Sequence, residues 1–135
     1  MNKKKLIRLY LLLILLNGCA TVSLYSIASG NKVNLSKLKC GMNKAKVSEI
    51  MGNKTRYSCL WDFYVSIPNP YKTEVVTFKE KSYEVLYYFT EIGGRTRWER
   101  PILENQNLTP LIFYKNRLVC SGQDCLRNYL RYLDQ

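Results

Sequence analysis

The chain contains no histidine among its 135 residues. A Ser–His or Cys–His pair that would activate a nucleophile is therefore excluded. A zinc site is disfavoured for the same reason, and because no two cysteines have the C-x₂-C spacing. The sequence has no phosphate-binding glycine loop and no dinucleotide fingerprint, and its 10 acidic residues are scattered. We therefore predict that the protein is not an enzyme and that it binds neither a metal nor a cofactor.

The sequence also lacks a hydrophobic run long enough to cross a membrane as a helix. The apolar run at residues 9–16 is about half of the ~20 residues that a spanning helix needs. Lys3, Lys4, Lys5 and Arg8 precede this run, and small residues follow it. A basic leader, a short apolar run and a small-residue site are typical of a secretory signal peptide. We predict such a signal at residues 1–18.

The residues that end this leader, Leu16-Asn17-Gly18-Cys19, resemble the lipobox of bacterial lipoproteins, although Asn17 departs from the usual pattern. The resemblance implies cleavage before Cys19 and attachment of acyl chains such as palmitate to that residue. Two or more chains hold a protein firmly on a bilayer. Because Ala20 follows where an Asp would favour the inner membrane, the resemblance implies the periplasmic face of the outer membrane. The alternative is an ordinary signal peptide with a chance cysteine.

The charge of the chain is strongly positive, with 21 Lys and Arg residues against 10 Asp and Glu residues. Such an excess favours nucleic acid, an anionic lipid or an acidic partner. Because the chain is predicted to be exported, nucleic acid is the least expected of these.

Four cysteines follow the predicted lipidation site: Cys40, Cys59, Cys120 and Cys125. An even number in an exported domain favours disulfides, and three pairings are possible. The turn-forming residues between Cys120 and Cys125 make a local bridge plausible, which would leave Cys40 to pair with Cys59. Free buried thiols are the alternative.

The pattern of apolar residues predicts an α+β fold. Residues 19–34 are small and polar and are interpreted as a flexible tether. A helix is predicted from the N-cap Asn43 to Gly52. Strands are predicted at 58–67, 74–78, 82–92, 111–114 and 117–120, with a tight turn at Lys115-Asn116. An amphipathic helix is predicted at 126–134. We expect one domain over residues 35–135, in which helices cover one face of an antiparallel sheet of three to four strands.

The segment LKCGMNKAKVSEIMG at residues 38–52 resembles the opening helix of the SmpA/OmlA (BamE-like) lipoprotein domain. The matching positions are Leu38, Gly41, Met42, Val47, Met51 and Gly52. Trp61 and Tyr64 resemble the start of that family's first strand, and Leu118 and Gly122 its last strand. The resemblance implies a small scaffold, similar in fold to β-lactamase-inhibitor-like domains. That scaffold binds the β-barrel assembly machinery of the outer membrane and phosphatidylglycerol, and maintains the envelope.

Two stretches are candidates for partner contacts. The first is the basic loop with Arg95, Arg97, Trp98 and Arg100, because arginine pairs well with phosphates and Trp serves as an interface anchor. It could equally be a solvated loop whose Trp packs on the sheet. The second is the aromatic face with Tyr83, Tyr87 and Tyr88, for which ordinary core is the alternative. The functions left open are an accessory subunit, an inhibitor-like module for a periplasmic enzyme, and a structural lipoprotein with no specific partner.

Overall fold

The computed structural model describes residues 22–60, 63–92 and 105–133. The predicted signal peptide, Cys19 and the loop with Arg95, Arg97, Trp98 and Arg100 lie outside the described residues. Within them the chain is α+β, as predicted: three α-helices, a two-stranded sheet and a four-stranded antiparallel sheet. No helix of the described residues is both long enough and apolar enough to span a membrane.

The elements follow one another in a simple order. Two helices come first, α1 at Leu24–Leu35 and α2 at Lys44–Met51. The hairpin of β1 and β2 follows, and then the four strands β3 to β6, of which β5 is preceded by a 3₁₀ turn at Asn105–Asn107. The helix α3 at Gln123–Leu133 comes last. The strand bounds are Arg56–Leu60, Phe63–Ile67, Lys72–Phe78, Lys81–Phe89, Leu108–Tyr114 and Arg117–Ser121.

The helix α2 forms where the sequence predicts it, because a capping residue defines each of its ends. The side chain of Asn43 accepts a hydrogen bond from the Ala45 N–H at 2.8 Å, which satisfies one of the free first-turn donors. At the other end Gly52 has φ 78° and its N–H donates to the Ser48 carbonyl at 2.8 Å. Glycine adopts that left-handed φ without steric cost, so the helix ends there.

The prediction of a flexible tether at 19–34 is wrong from Leu24 onward, because α1 occupies this segment. The Ser23 side chain caps the helix by accepting from the Ser26 N–H at 3.1 Å. Leu24, Ile27 and Ala28 are at most 4% exposed and belong to the core. A helix that buries three apolar side chains is part of the domain, so the domain begins before residue 35.

The predicted strand at 58–67 is also wrong, because two five-residue strands fill this region and pair antiparallel. The register joins Arg56 to Ile67 and Leu60 to Phe63. Residues 61–62, between the two strands, lie outside the described part. The hairpin contributes Ile67 and part of Val65 to the core.

The four-stranded sheet has the order β3-β4-β5-β6, so each strand neighbours the next in sequence. Both faces of its second strand are buried, whereas the sequence predicted cover on one face alone. Tyr83, Val85, Tyr87 and Phe89 pack with α1 and β2, and Leu126 of α3 contacts the same cluster. Leu86 and Tyr88, on the opposite face, pack with Val47 and Met51 of α2.

The two ends of this sheet differ in the residues that they carry. The turn end carries the two-residue turns Lys79-Glu80 and Lys115-Asn116, whose four residues have φ between 43° and 63°. Positive φ at both central residues is the type I′ geometry, which suits the twist of a hairpin. The opposite end is the amide end, where β4 finishes at Phe89 and where Asn31, Asn69 and Asn107 are buried.

Candidate functional site

The amide end is held by side chains that bond to backbone from distant parts of the chain. Asn31 of α1 donates to the Phe89 carbonyl at 2.8 Å and to the Asn69 side-chain oxygen at 3.2 Å. Asn69 in turn donates to the carbonyl oxygens of Met51 at 2.6 Å and Gly52 at 3.2 Å. These amides join α1, α2, β4 and the segment before β3, and their burial makes each unpaired polar atom costly.

A cavity of about 410 Å³ opens beside this network. Its described lining consists of Val22, residues 52–57 and Asn69. Val22 forms part of the cavity wall, and its N–H donates to the Tyr57 carbonyl at 3.1 Å. The first described residue is thus fixed against the start of β1.

The cavity carries two cationic side chains, Lys54 and Arg56, and no acidic residue among its described lining. The Arg56 guanidinium lies beside the α1 backbone, since a Cβ atom at Gly30 would lie 3.6 Å from one of its nitrogens. The described ion pairs engage every described acidic side chain except Glu80, and neither Lys54 nor Arg56 takes part in them. The positive charge of this cavity is therefore not neutralised by the described residues.

The turn end carries a second group of cations, held over aromatic rings. The ammonium groups of Lys81 and Lys115 lie 5.9 and 5.4 Å from the centre of the Tyr114 ring. That of Lys79 lies 5.7 Å from the centre of the Phe78 ring. Contacts of this kind at exposed sites contribute roughly 0.5–1 kcal/mol each, so they orient the lysines without removing them from solvent.

The prediction of an aromatic contact face is wrong, because all three of its tyrosines are buried and Tyr88 lies on the opposite face of β4 from Tyr83 and Tyr87. Tyr83, Tyr87 and Tyr88 are 5%, 9% and 0% exposed. Burial and the nearby Glu74 carboxylate, which accepts from the Tyr87 hydroxyl at 3.0 Å, raise the pKa of Tyr87 to about 12. Burial alone raises the pKa of Tyr88 to about 12. These side chains serve the core.

The Glu74 carboxylate is itself held by Lys72. The hydrogen bond from Lys72 is the main cause that lowers the pKa of Glu74, with a further contribution from Tyr87. Because both Lys72 and Glu74 are more than a third exposed, water screens this pair and it contributes little to stability.

The cysteines follow the prediction in part. Cys120 and Cys125 form a disulfide with their Cα atoms 6.2 Å apart, which is within the range that a disulfide accepts. Cys40 is a free, exposed thiol, so its predicted pairing with Cys59 is wrong. Cys59 lies in β1. No group of three or more metal-ligating side chains forms within the described residues.

The predicted contact residues Arg95, Arg97, Trp98 and Arg100 and the lipidation residue Cys19 lie outside the described residues, so both predictions stay predictions. Comparison with protein-family models, curated proteins and solved structures returns no match.

The basic cavity is a site that the sequence did not predict. The sequence does not distinguish Lys54 and Arg56 from other surface cations, because two cations after a helix are common on protein surfaces. The spacing of two residues was the one available signal, since it places both side chains on one side of an extended chain.

Proposed function

We propose that the chain is an exported, lipid-anchored binding module of the bacterial cell envelope, which acts by contact and not by turnover. The lipobox-like residues 16–19 support the anchor. The local disulfide supports export, because disulfides persist in oxidising compartments. In this proposal Cys19 carries the acyl chains, and the domain lies on the periplasmic face of the outer membrane.

The observation that carries the proposal is the lipobox-like sequence at residues 16–19. The orientation of the anchored domain then follows from the small number of residues between Cys19 and the fold. Val22 is already bonded to Tyr57, and α1 begins at Leu24. The three residues from Cys19 to Val22 span at most about 11 Å when fully extended. A domain attached through Cys19 would therefore be held with its amide end against the lipid headgroups.

This placement gives the two ends of the molecule separate roles. The nine residues of β4 extend about 30 Å, so the turn end would project that far into the periplasm. Lys79, Lys81 and Lys115 would then face the periplasm, away from the bilayer. A partner would meet this surface first.

The partner in our proposal is the machinery that assembles β-barrel proteins in the outer membrane, with the chain as an accessory subunit. Support for this partner comes only from the resemblance to the SmpA/OmlA lipoprotein domain, which is carried by residues 38–52 together with Trp61, Tyr64, Leu118 and Gly122. Crosslinked co-purification from the native envelope tests it, with a C-terminal tag and a Cys19→Ala control. Recovery of the central barrel-assembly protein with the wild type alone supports it, whereas recovery of a soluble enzyme or of no protein contradicts it.

The anchor itself is tested by metabolic labelling with palmitate. We expect label on the wild-type chain and none on Cys19→Ala, together with loss of the variant from the outer-membrane fraction. Cys40→Ala is the matched control, because Cys40 is an exposed free thiol and its removal should leave the label unchanged. Equal labelling of Cys19→Ala and the wild type would overturn the anchor.

A further inference from the structure

We propose that the basic cavity at the amide end binds a phosphate-bearing anion. This inference deepens the proposed function, because it rests on that function for the source of the phosphate, a lipid headgroup beside the anchor. The site consists of Lys54 and Arg56 with the neighbouring backbone of residues 53–55. It differs from the predicted basic loop with Arg95, Arg97, Trp98 and Arg100, which lies outside the described residues.

The charge of the cavity is the first argument. Lys54 and Arg56 both line it, and its described lining includes no carboxylate. Lys44, in contrast, is paired with the Glu84 carboxylate at 2.5 Å. A guanidinium and an ammonium without a carboxylate partner favour an anion, and guanidinium matches the geometry of phosphate oxygens.

The backbone of the cavity supplies further donors. After Gly52 the chain leaves α2, and the N–H groups of Asn53, Lys54 and Thr55 donate to no backbone carbonyl among the described residues. Thr55 also offers a hydroxyl at the same wall. Backbone N–H groups beside cationic side chains are the usual means by which proteins hold phosphate.

The size and position of the cavity fit a headgroup. Its volume of about 410 Å³ lies within the 300–1,000 Å³ that is common for small-molecule sites. Tyr57 also lines the cavity, and its side chain is 58% exposed. Since Val22 lines the cavity, the anchor at Cys19 would bring phospholipid phosphates within about 11 Å.

The test measures the thermal unfolding of the purified full chain in a neutral maltoside detergent. Inorganic phosphate, glycerol phosphate and dioctanoyl phosphatidic acid are titrated separately, each against sodium chloride at the same ionic strength. A ligand that binds the folded state alone raises the melting temperature in proportion to its saturation of the site. We expect a saturable rise with at least one of these probes.

Two double variants decide whether the cavity is responsible. Lys54→Gln with Arg56→Gln removes the cavity charges, and Lys79→Gln with Lys81→Gln removes the same charge at the turn end. We expect the apparent Kd to rise at least tenfold in the first variant and less than twofold in the second. Equal weakening in both, or no saturable rise with any probe in the wild type, would overturn the site.

The three probes distinguish the source of the phosphate. Tighter binding of dioctanoyl phosphatidic acid than of the two soluble anions supports a lipid headgroup, and equal binding of all three supports a site for free phosphate. Because this measurement does not depend on acylation, an unmodified Cys19 would contradict the proposed function and leave the phosphate site standing.

Discussion

The amide end and the turn end of the sheet differ in whether their polar side chains are buried or exposed. At the amide end, Asn31 and Asn69 are at most 5% exposed and bond to backbone that lies 17 to 58 residues away in sequence. At the turn end, the polar groups are exposed lysines on two short turns. The turn end is also joined over long range, by backbone hydrogen bonds between residues 41–44 and 116–118. The difference is therefore in the kind of link, which is a buried side-chain amide at the amide end and backbone beside exposed side chains at the turn end.

The largest expected difference between the ends comes from Asn69→Ala. This change leaves the Met51 and Gly52 carbonyls and the Asn31 amide without their partner, and each unpaired buried group costs ~1–3 kcal/mol. We expect the free energy of unfolding in urea to fall by about 3 kcal/mol. The control is Asn116→Gly at the turn end, where glycine tolerates the φ of 61° and little should change. Equal losses in both variants would contradict the difference between the ends.

A smaller effect is expected from the disulfide, which lies toward the amide end. Replacing Cys120 and Cys125 by Ala opens a loop with a sequence separation of 5, and the chain-entropy relation gives about 2 kcal/mol for so short a loop. We expect this loss in chemical denaturation under oxidising conditions. Cys40→Ala is the control and should change stability by less than about 0.5 kcal/mol. If reductant leaves the denaturation midpoint of the wild type unchanged, the stabilising role of the Cys120–Cys125 disulfide is contradicted.

The N-cap at the turn end is expected to contribute less than the amide network. Asn43→Ala removes the acceptor of the Ala45 N–H, which costs about 1 kcal/mol. Asn43→Asp retains an acceptor and should restore most of the stability. Thermal unfolding of the two variants measures this difference, and a loss as large as that of Asn69→Ala would erase the contrast between the ends.

Tyr88 and Tyr87 allow the smallest and most specific comparison, because they are adjacent and face opposite clusters. The Tyr88 hydroxyl is buried without a hydrogen-bond partner among the described residues, whereas that of Tyr87 donates to Glu74. We expect Tyr88→Phe to be neutral or to raise the free energy of unfolding by up to about 1 kcal/mol, and Tyr87→Phe to lower it by about 1 kcal/mol. Urea denaturation at neutral pH measures both.

The same pair predicts the alkaline behaviour of the fold. The pKa of both phenols is raised to about 12 in the folded state, whereas a phenol in the unfolded chain titrates near 10. The unfolded state therefore loses these protons first, and the free energy of unfolding falls as the pH rises from 10 to 12. Tyr88→Phe should make this decline shallower, and an unchanged slope would contradict the burial of that hydroxyl.

The sequence correctly predicted the structural features that depend on local signals. The N-cap Asn43, the stop at Gly52 and the turn at Lys115-Asn116 each depend on the properties of one or two residues, and all three are confirmed. The strand predicted at 82–92 is present as β4, and its residues Tyr83, Val85, Tyr87 and Phe89 pack in one cluster.

The sequence failed where a polar residue belongs to the core. The buried face of α1 has helical spacing at Leu24, Ile27, Ala28 and Asn31, but the asparagine ends the apolar pattern. Its partners, Asn69 and the Phe89 carbonyl, are 38 and 58 residues away, so no local pattern shows that Asn31 is satisfied. The same long-range assembly brings Val22 beside residues 52–57 and forms the basic cavity.

The central claim, that the amide end lies against the membrane, is tested most directly by measuring the distance of each end from the bilayer. A fluorophore is attached at Thr55→Cys or at Glu80→Cys in the lipidated chain with Cys40 and Cys59 replaced by Ser. Energy transfer is then measured to acceptors on the headgroups of nanodisc lipids. The account predicts strong transfer from position 55 and weak transfer from position 80, up to about 30 Å farther away. Equal transfer from both positions, or stronger transfer from position 80, would contradict it.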